Sequence, residues 1–233
     1  MVVKEEYAEF GVEGFSLLEV LIALAVLGIV LTGVVKMFTT TGRFHTSQER
    51  TVETMDNVRA VKQLMVDEIR SAGCNPKGKQ TIGFVNDAGG DDRFDTDANS
   101  IHFTRDIDDD EIDQVYKPDG DADDPNENIA YYRGTSPALS DILAPTDHTP
   151  GTLYRTSFGA AGFNSQPVAD NITGLQFLYF DSSGIGITNP GTTDLAKIKL
   201  VEVTVIGQVT NTTQVSTANQ TWTQRFRVRV RNL

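Results

Sequence analysis

The chain has 233 residues, of which 39% are hydrophobic and 22% charged, with a formal net charge of −12 and a pI near 4.6. That acidity excludes the basic profile of a nucleic-acid binder. The single cysteine, Cys74, excludes an intramolecular disulfide and a cysteine-built zinc cage. His45, His102 and His148 stand far apart with no ligand spacing. The length suits one domain or two, with enough chain to bury a core.

The first element is apolar. Phe15 to Val35 reads FSLLEVLIALAVLGIVLTGVV, 21 residues that are apolar or small except Ser16, Glu19 and Thr32. As a helix it reaches about 30 Å, the thickness of a hydrocarbon core. A secretory signal would have a shorter apolar run and a small-residue cleavage site after it; here Lys36, Met37, Phe38 and Thr39 follow. The segment therefore reads as a retained membrane span. Glu19 lies one turn inside its start. A carboxylate in such a span is costly and points to function, whereas at headgroup depth it would merely be tolerated.

Gly14-Phe15-Ser16-Leu17-Leu18-Glu19-Val20-Leu21-Ile22-Ala23-Leu24 resembles the N-terminal signature of type IV prepilins and type II secretion pseudopilins. That signature is a short hydrophilic leader ending in Gly, then Phe, then Glu four residues on, opening a long apolar helix. The resemblance implies cleavage between Gly14 and Phe15 by prepilin peptidase and N-methylation of the new Phe15 amine. It also implies an assembly role for Glu19, paired with the Phe15 amine of a neighbouring subunit. In low dielectric such a pair is strong and an unpaired charge expensive. The leader departs from the usual basic pattern: it holds Lys4 against Glu5, Glu6, Glu9 and Glu13, while Lys36 and Arg43 follow the span. Charge alone does not set the expected orientation.

No proline interrupts Phe15 to Ala72. After a polar stretch at 39–48, Val52, Met55, Val58, Val61 or Lys62, Met65 and Ile69 recur every three or four residues. Gly73 stands at a C-cap position and Pro76 stops any continuation. The pattern predicts one helix of about 58 residues, near 87 Å long, apolar all round in its first half and striped in its second. Gly28 and Gly33 weaken the span, for local unwinding or for close helix contacts. Beyond Pro76 the pattern is β, with candidate strands at 82–85, 100–104, 129–133, 172–180, 197–207 and 221–230. In the last, Phe226, Val228 and Val230 alternate with Arg225, Arg227, Arg229 and Arg231, the mark of a half-buried antiparallel strand. The arginine row is either a solvated face or a surface for an acidic partner.

LMVDEIRSAGC, NITGLQFLYFDSSG and the closing RVRVRN resemble, in turn, the helix end, central strand and last strand of PilW-type minor pilins and J-type pseudopilins. Members often place further cysteines near the helix end; Cys74 has none to join and reads as a small, inert residue.

Residues 86–128 hold 16 Asp or Glu against Arg93, Arg105 and Lys117, a local charge of −13, which leaves the rest of the chain at +1. One reading is a solvated insertion. The other is calcium, which takes oxygen ligands from carboxylates and carbonyls. Asp119, Asp121, Asp123, Asp124 and Glu127 are the candidate ligands, in an order resembling the start of an EF-hand loop. Asp124 and Ala130 stand where that loop has its Gly and Glu. The run 106–111 offers further donors.

No G-x-S-x-G, P-loop, H-E-x-x-H or Cys beside a His is present, so no enzyme is expected. The predicted fold is α+β, a long N-terminal helix packed on a C-terminal antiparallel sheet. The chain divides into a leader (1–14), a transmembrane or filament-core helix half (15–36), an amphipathic half (37–73) and a β-rich head (74–233). The family resemblance implies a minor pilin acting in pilus initiation or at the tip, with prepilin peptidase and other major and minor pilins as partners. It implies a single pass in the inner membrane with a periplasmic head before assembly, and a place in the pilus after it. Two alternatives stand: a J-type pseudopilin of a type II secretion system, and a single-span anchored, calcium-binding adhesin domain. No cofactor is required, and calcium is the one candidate ion.

Overall fold

A computed structural model describes residues 14–78, 82–86, 95–107, 120, 122, 126–137, 142–144, 146–159, 162–209 and 220–233. The chain divides into two compact units, Met1–Ser47 and Gln48–Leu233, and each is taken by itself. Helix α1 runs from Leu17 to Ser71, 55 residues, and contributes to both.

In the first unit every residue from Gly14 to Thr46 is solvent-exposed, and Ser47 is partly covered. Leu17 is 80% exposed and Ile29 74%. The segment is long and apolar enough to cross a membrane. Three of its hydroxyls are satisfied within the helix: Thr32, Thr39 and Thr46 donate to the carbonyls of Gly28, Lys36 and Gly42 at 2.8, 2.9 and 3.2 Å. A helix meeting its own polar groups is what a lipid environment demands. The helix is continuous through Gly28 and Gly33.

In the second unit the end of α1 is amphipathic. Thr54, Val58, Val61, Met65, Glu68 and Ile69 are buried, at spacings of three and four residues that keep one face turned to the sheet. The stripe is shifted from the predicted one: Val52 is exposed and Met55 only partly covered, while Thr54 and Glu68 take core positions. Gly73 ends the helix with φ +75°, the left-handed conformation of a C-cap, and its N–H reaches the Thr104 carbonyl at 2.9 Å. The Leu233 side chain lies where a Cβ on Gly73 would be.

The sheet is antiparallel throughout. Its strands are β1 (Ser100–Thr104), β2 (Asn128–Gly134), β3 (Gly151–Gly159), β4 (Gly162–Phe180), β5 (Gly186–Ile187), β6 (Leu200–Val209) and β7 (Gln220–Arg229). Their order is β1-β2-β3-β4-β6-β7, with β5 on β4. β4 changes partner along its length. Its first part pairs with β3 and its second, from Ile172, with β6. The change falls at Asn171, φ 58°, next to a register shift between Ile172 and Gly174. Asn is among the few non-glycine residues that accept this conformation. Ile101, Phe103, Ile129, Leu153, Ile172, Leu175, Phe177, Val201, Val203, Val205, Phe226 and Val228 face α1 and form one core with its stripe.

The fold is the predicted α+β, with corrections. The expected strand at 82–85 is reduced to one bridge, Phe84 to Phe103, flanked by hydrogen bonds from Val85 N–H to the His102 carbonyl at 2.9 Å and from Thr104 N–H to the Gly83 carbonyl at 2.7 Å. Lys197 lies in a single 3₁₀ turn, Leu195–Lys197, and the strand begins at Leu200. β3 and the first half of β4 went unpredicted. The residues expected to form a solvated insertion contain β1 and a built turn. Asp97 accepts the N–H groups of Asn99 and Ser100 at 2.6 and 2.8 Å, and Tyr179 donates to the Asp97 carbonyl at 2.8 Å.

Candidate functional site

Gly14 and Phe15 precede the first helical turn. Both are exposed, Phe15 to 81%, and a Cβ on Gly14 would meet nothing within 4 Å. The bond between them is non-helical and open, the condition a protease needs. Ser16 carries the chain into α1: its carbonyl accepts the N–H groups of Glu19 and Val20 at 3.0 and 3.2 Å. Glu19 is the acidic residue of the first turn. Ser16-Leu17-Leu18-Glu19 has the residue order of a capping box, and a carboxylate here faces the positive end of the helix dipole, worth about 0.3–1 kcal/mol. Gly14 and Phe15 thus lie just before the helix, and Glu19 in its first turn.

A second ionic centre was not foreseen. Glu68, on the buried stripe of α1, is held by three side chains of the sheet. Arg155 of β3 donates from Nε and Nη2 at 2.8–3.2 Å, Arg105 from Nη2 at 3.4 Å, and the Tyr131 hydroxyl donates to Oε2. All three charged side chains are about one-tenth exposed. Burial, then the Glu68 charge and hydrogen bond, push the Tyr131 hydroxyl far above its ordinary range, so it remains a donor. Burial lowers the Arg105 guanidinium. Arg155 is also opposed by burial, but its hydrogen bond and charge pairing with Glu68 outweigh that and raise it. The signal for this centre was present: Val61, Met65, Glu68 and Ala72 continue the core spacing, and a charge at a core position requires partners.

Arg105 extends the centre to the base of the acidic segment. Its Nε donates to the Asn126 carbonyl at 2.8 Å, its Nη1 to Ser71 Oγ at 2.8 Å, and its N–H to the Glu127 carbonyl at 2.8 Å. Of the predicted calcium ligands, Glu127 is fully buried, with Oε1 accepting the Ile107 N–H at 2.6 Å. Asp119, Asp121, Asp123 and Asp124 lie outside the described residues. No cluster of three metal-ligating side chains occurs among the described residues. Cys74 is partly exposed and free; burial first, then Asp106, push its thiol up, which suppresses thiolate chemistry at neutral pH.

The arginine row stands as predicted. Arg225, Arg227 and Arg229 are exposed while Phe226, Val228 and Val230 are buried. Arg227 pairs with Glu202 at 2.6 Å and lies over the Phe180 ring at 5.7 Å; Arg225 approaches the same carboxylate at 3.7 Å.

No curated protein matches the chain. Residues 11–35, the segment that holds Gly14, Phe15 and Glu19, match the family model described as Prokaryotic N-terminal methylation motif, and that prepilin-type match supports a pilin-like or pseudopilin subunit.

Proposed function

We propose that this chain is a PilW-type minor pilin, cut by prepilin peptidase between Gly14 and Phe15, methylated on the Phe15 amine and built into a type IV pilus at its initiation complex or tip. The observation that carries the reading is the methylation motif at 11–35 on a helix whose apolar half is exposed on every side. Such a surface needs lipid before assembly and neighbouring helices after it. Cleavage places a cationic amine at the N-terminus of α1, where the helix dipole opposes it. A carboxylate is the natural neutralising partner, and Glu19 of an adjoining subunit supplies one in a medium that leaves no cheaper alternative.

The test is to express the full chain with and without a prepilin peptidase and read the mature N-terminus by mass spectrometry. Loss of residues 1–14 and one methyl on Phe15 is the expected outcome. An intact N-terminus, or a cut elsewhere, overturns the filament reading and leaves a single-span anchored domain. A chain that is processed but exported with a secretion apparatus, and absent from pili, would instead be a J-type pseudopilin.

A further inference from the structure

We propose that the outer edge of β7 receives an added strand from a partner protein, one in which acidic residues alternate with apolar ones. β7 ends the sheet order, and among the described residues no strand pairs with its outer side. The edge at β1 is different. There the chain at 83–85 lies alongside, through the bridge from Phe84 to Phe103 and the hydrogen bonds that flank it. The direction of the free backbone groups on β7 follows from one bond. The Val230 N–H donates to the Lys199 carbonyl, just before β6, at 3.0 Å, and the register with β6 runs without a shift from Gln220 to Arg229. Even-numbered residues therefore bond toward β6, and the N–H and C=O groups of Thr221, Thr223, Arg225, Arg227 and Arg229 point outward. A ten-residue edge of this kind is an open template for pairing.

The side chains select what can pair there. From Gln220 to Leu233 the chain carries four arginines and no acidic residue. Arg225, Arg227 and Arg229 are exposed on one face, and they are among the residues that offer the outward backbone groups. Charge on an edge guards it against pairing. A positive row guards against basic and apolar strands and leaves acidic ones favoured. The sheet already shows the fit once. Glu202 of β6 stands directly opposite Arg227, pairs with it at 2.6 Å and reaches Arg225 at 3.7 Å. Arg229 and Arg231 have no ion pair among the described residues. An added strand with an acid at every second position matches the arginine spacing of about 6.6 Å. On the helix-facing side of β7, Phe226 and Val228 are buried and Trp222 is 43% exposed, which suits apolar residues in between. Among the described strands none has that pattern: β4 and β6 carry one acid each, Asp170 and Glu202, and the others carry none. The edge is therefore matched to a strand of a different protein. The inference goes beyond the filament reading and does not rest on it.

The experiment titrates the full chain, in detergent, against a fluorescein-labelled synthetic peptide of alternating Glu and Val, as long as β7, and follows anisotropy. Saturable binding is expected, weakening as salt is added. A peptide of the same composition with its Glu residues in one block keeps the charge but loses the period, and should bind the wild type about tenfold more weakly. R229E/R231E should weaken binding of the alternating peptide by about tenfold or more. Thr223→Pro keeps all four arginines and removes one outward N–H, at an edge position where proline is tolerated. It should weaken binding to the same extent, with unchanged thermal melting. If either variant melts early, the two peptides on the wild type decide. Absence of binding overturns the inference and leaves the arginines as a guard on the edge. Equal binding of the two peptides, or undiminished binding by Thr223→Pro, overturns it too, because charge alone would then explain the contact. Undiminished binding by R229E/R231E removes the arginines from it. Self-association of the chain that R229E/R231E abolishes, without peptide binding, makes a second copy the occupant and also overturns it. None of these outcomes bears on cleavage between Gly14 and Phe15.

Discussion

α1 carries two carboxylates at positions that a helix would ordinarily leave apolar, and they are treated in opposite ways. Glu68, in the second unit, is one-tenth exposed and accepts bonds from Arg155, Arg105 and Tyr131 of its own chain. Glu19, in the first unit, is exposed with its apolar neighbours, and no side-chain partner is found for it among the described residues. The difference teaches where each half of the helix completes its folding. The second half is finished within one polypeptide. The first presents an apolar surface and a charge for which no side-chain partner occurs among the described residues.

The strongest way to break this contrast is to empty the internal site. Glu68→Ala leaves two buried guanidiniums facing Tyr131 without their anion. Breaking a buried pair in this way costs about 3–5 kcal/mol, more than a small head readily spares. Urea unfolding followed through the single tryptophan, Trp222, is expected to show that loss. A change below about 1 kcal/mol would mean that Arg105 and Arg155 re-pair with Glu127 or Asp106, and that Glu68 does not fasten the helix to the sheet.

The packing around that site gives a smaller effect. A Cβ on Gly207 of β6 would stand 2.9 Å from Thr54 Cγ2 and 3.0 Å from Val58 Cγ2, so α1 lies on the strand where there is no side chain. Gly207→Val is expected to cost about 1–3 kcal/mol through overpacking. Thr54→Ala in the same chain should return part of it. Equal melting of G207V and wild type would show that the helix is free to shift on the sheet.

How far the sequence foretold this arrangement depends on whether a face was apolar. β1, β2, β6 and β7 announced themselves because their inward residues are aliphatic or aromatic in alternation (Ile101 and Phe103, Ile129 and Tyr131, Val201 to Val205, Phe226 and Val228), and the helix through Gly73 because periodicity and a stop coincide. β3 did not, because its inward face carries Arg155, drawn in by Glu68, while Tyr154 and Thr156 are buried on the other side. The inward face runs from Leu153 of the core to the charged Arg155, so the apolar alternation stops after one residue. The first half of β4 was hidden by Pro167, which stands opposite Tyr154 beside a register shift, one of the few places a strand tolerates proline. The processing residues were legible because they lie within a few positions of one another. The Glu68 centre joins positions 68, 105, 131 and 155, and such a juxtaposition is made only by the fold.

Tyr131 sharpens the comparison through pH. Its hydroxyl, buried and facing Glu68, titrates far above the ordinary value of 10.0. In the unfolded chain the tyrosine loses its proton from about pH 10 upward, while the folded head retains it. The unfolded state then binds fewer protons, and stability falls as pH rises above that value. Tyr131→Phe should cost about 1.5–3 kcal/mol at neutral pH, the worth of a hydrogen bond to a charged group. It should also make the alkaline fall in melting temperature shallower. Tyr179, likewise raised by burial, keeps a residual slope in that variant. An unchanged slope would assign the alkaline loss to Tyr179 and Tyr132, both raised by burial.

The smallest expected effect on the head is that of Glu19→Ala, and the contrast rests most heavily on it. Glu19 lies in the first unit, apart from the core that Val58, Val61, Met65 and Ile69 share with the sheet. Urea unfolding of the head should therefore be unchanged within about 0.3–0.5 kcal/mol, as for distant independent sites. Cleavage at Gly14–Phe15 should also persist, because the bond lies outside the helix and its exposure does not depend on the carboxylate. What should fail is incorporation into filaments, read as loss of the processed chain from sheared pili while its membrane pool remains. Glu19→Asp, which keeps the charge but shortens its reach by one methylene, should recover part of the incorporation. Normal incorporation of Glu19→Ala would mean that the carboxylate serves only to cap its own helix. The two acids of α1 would then differ in burial but not in the kind of partner they need.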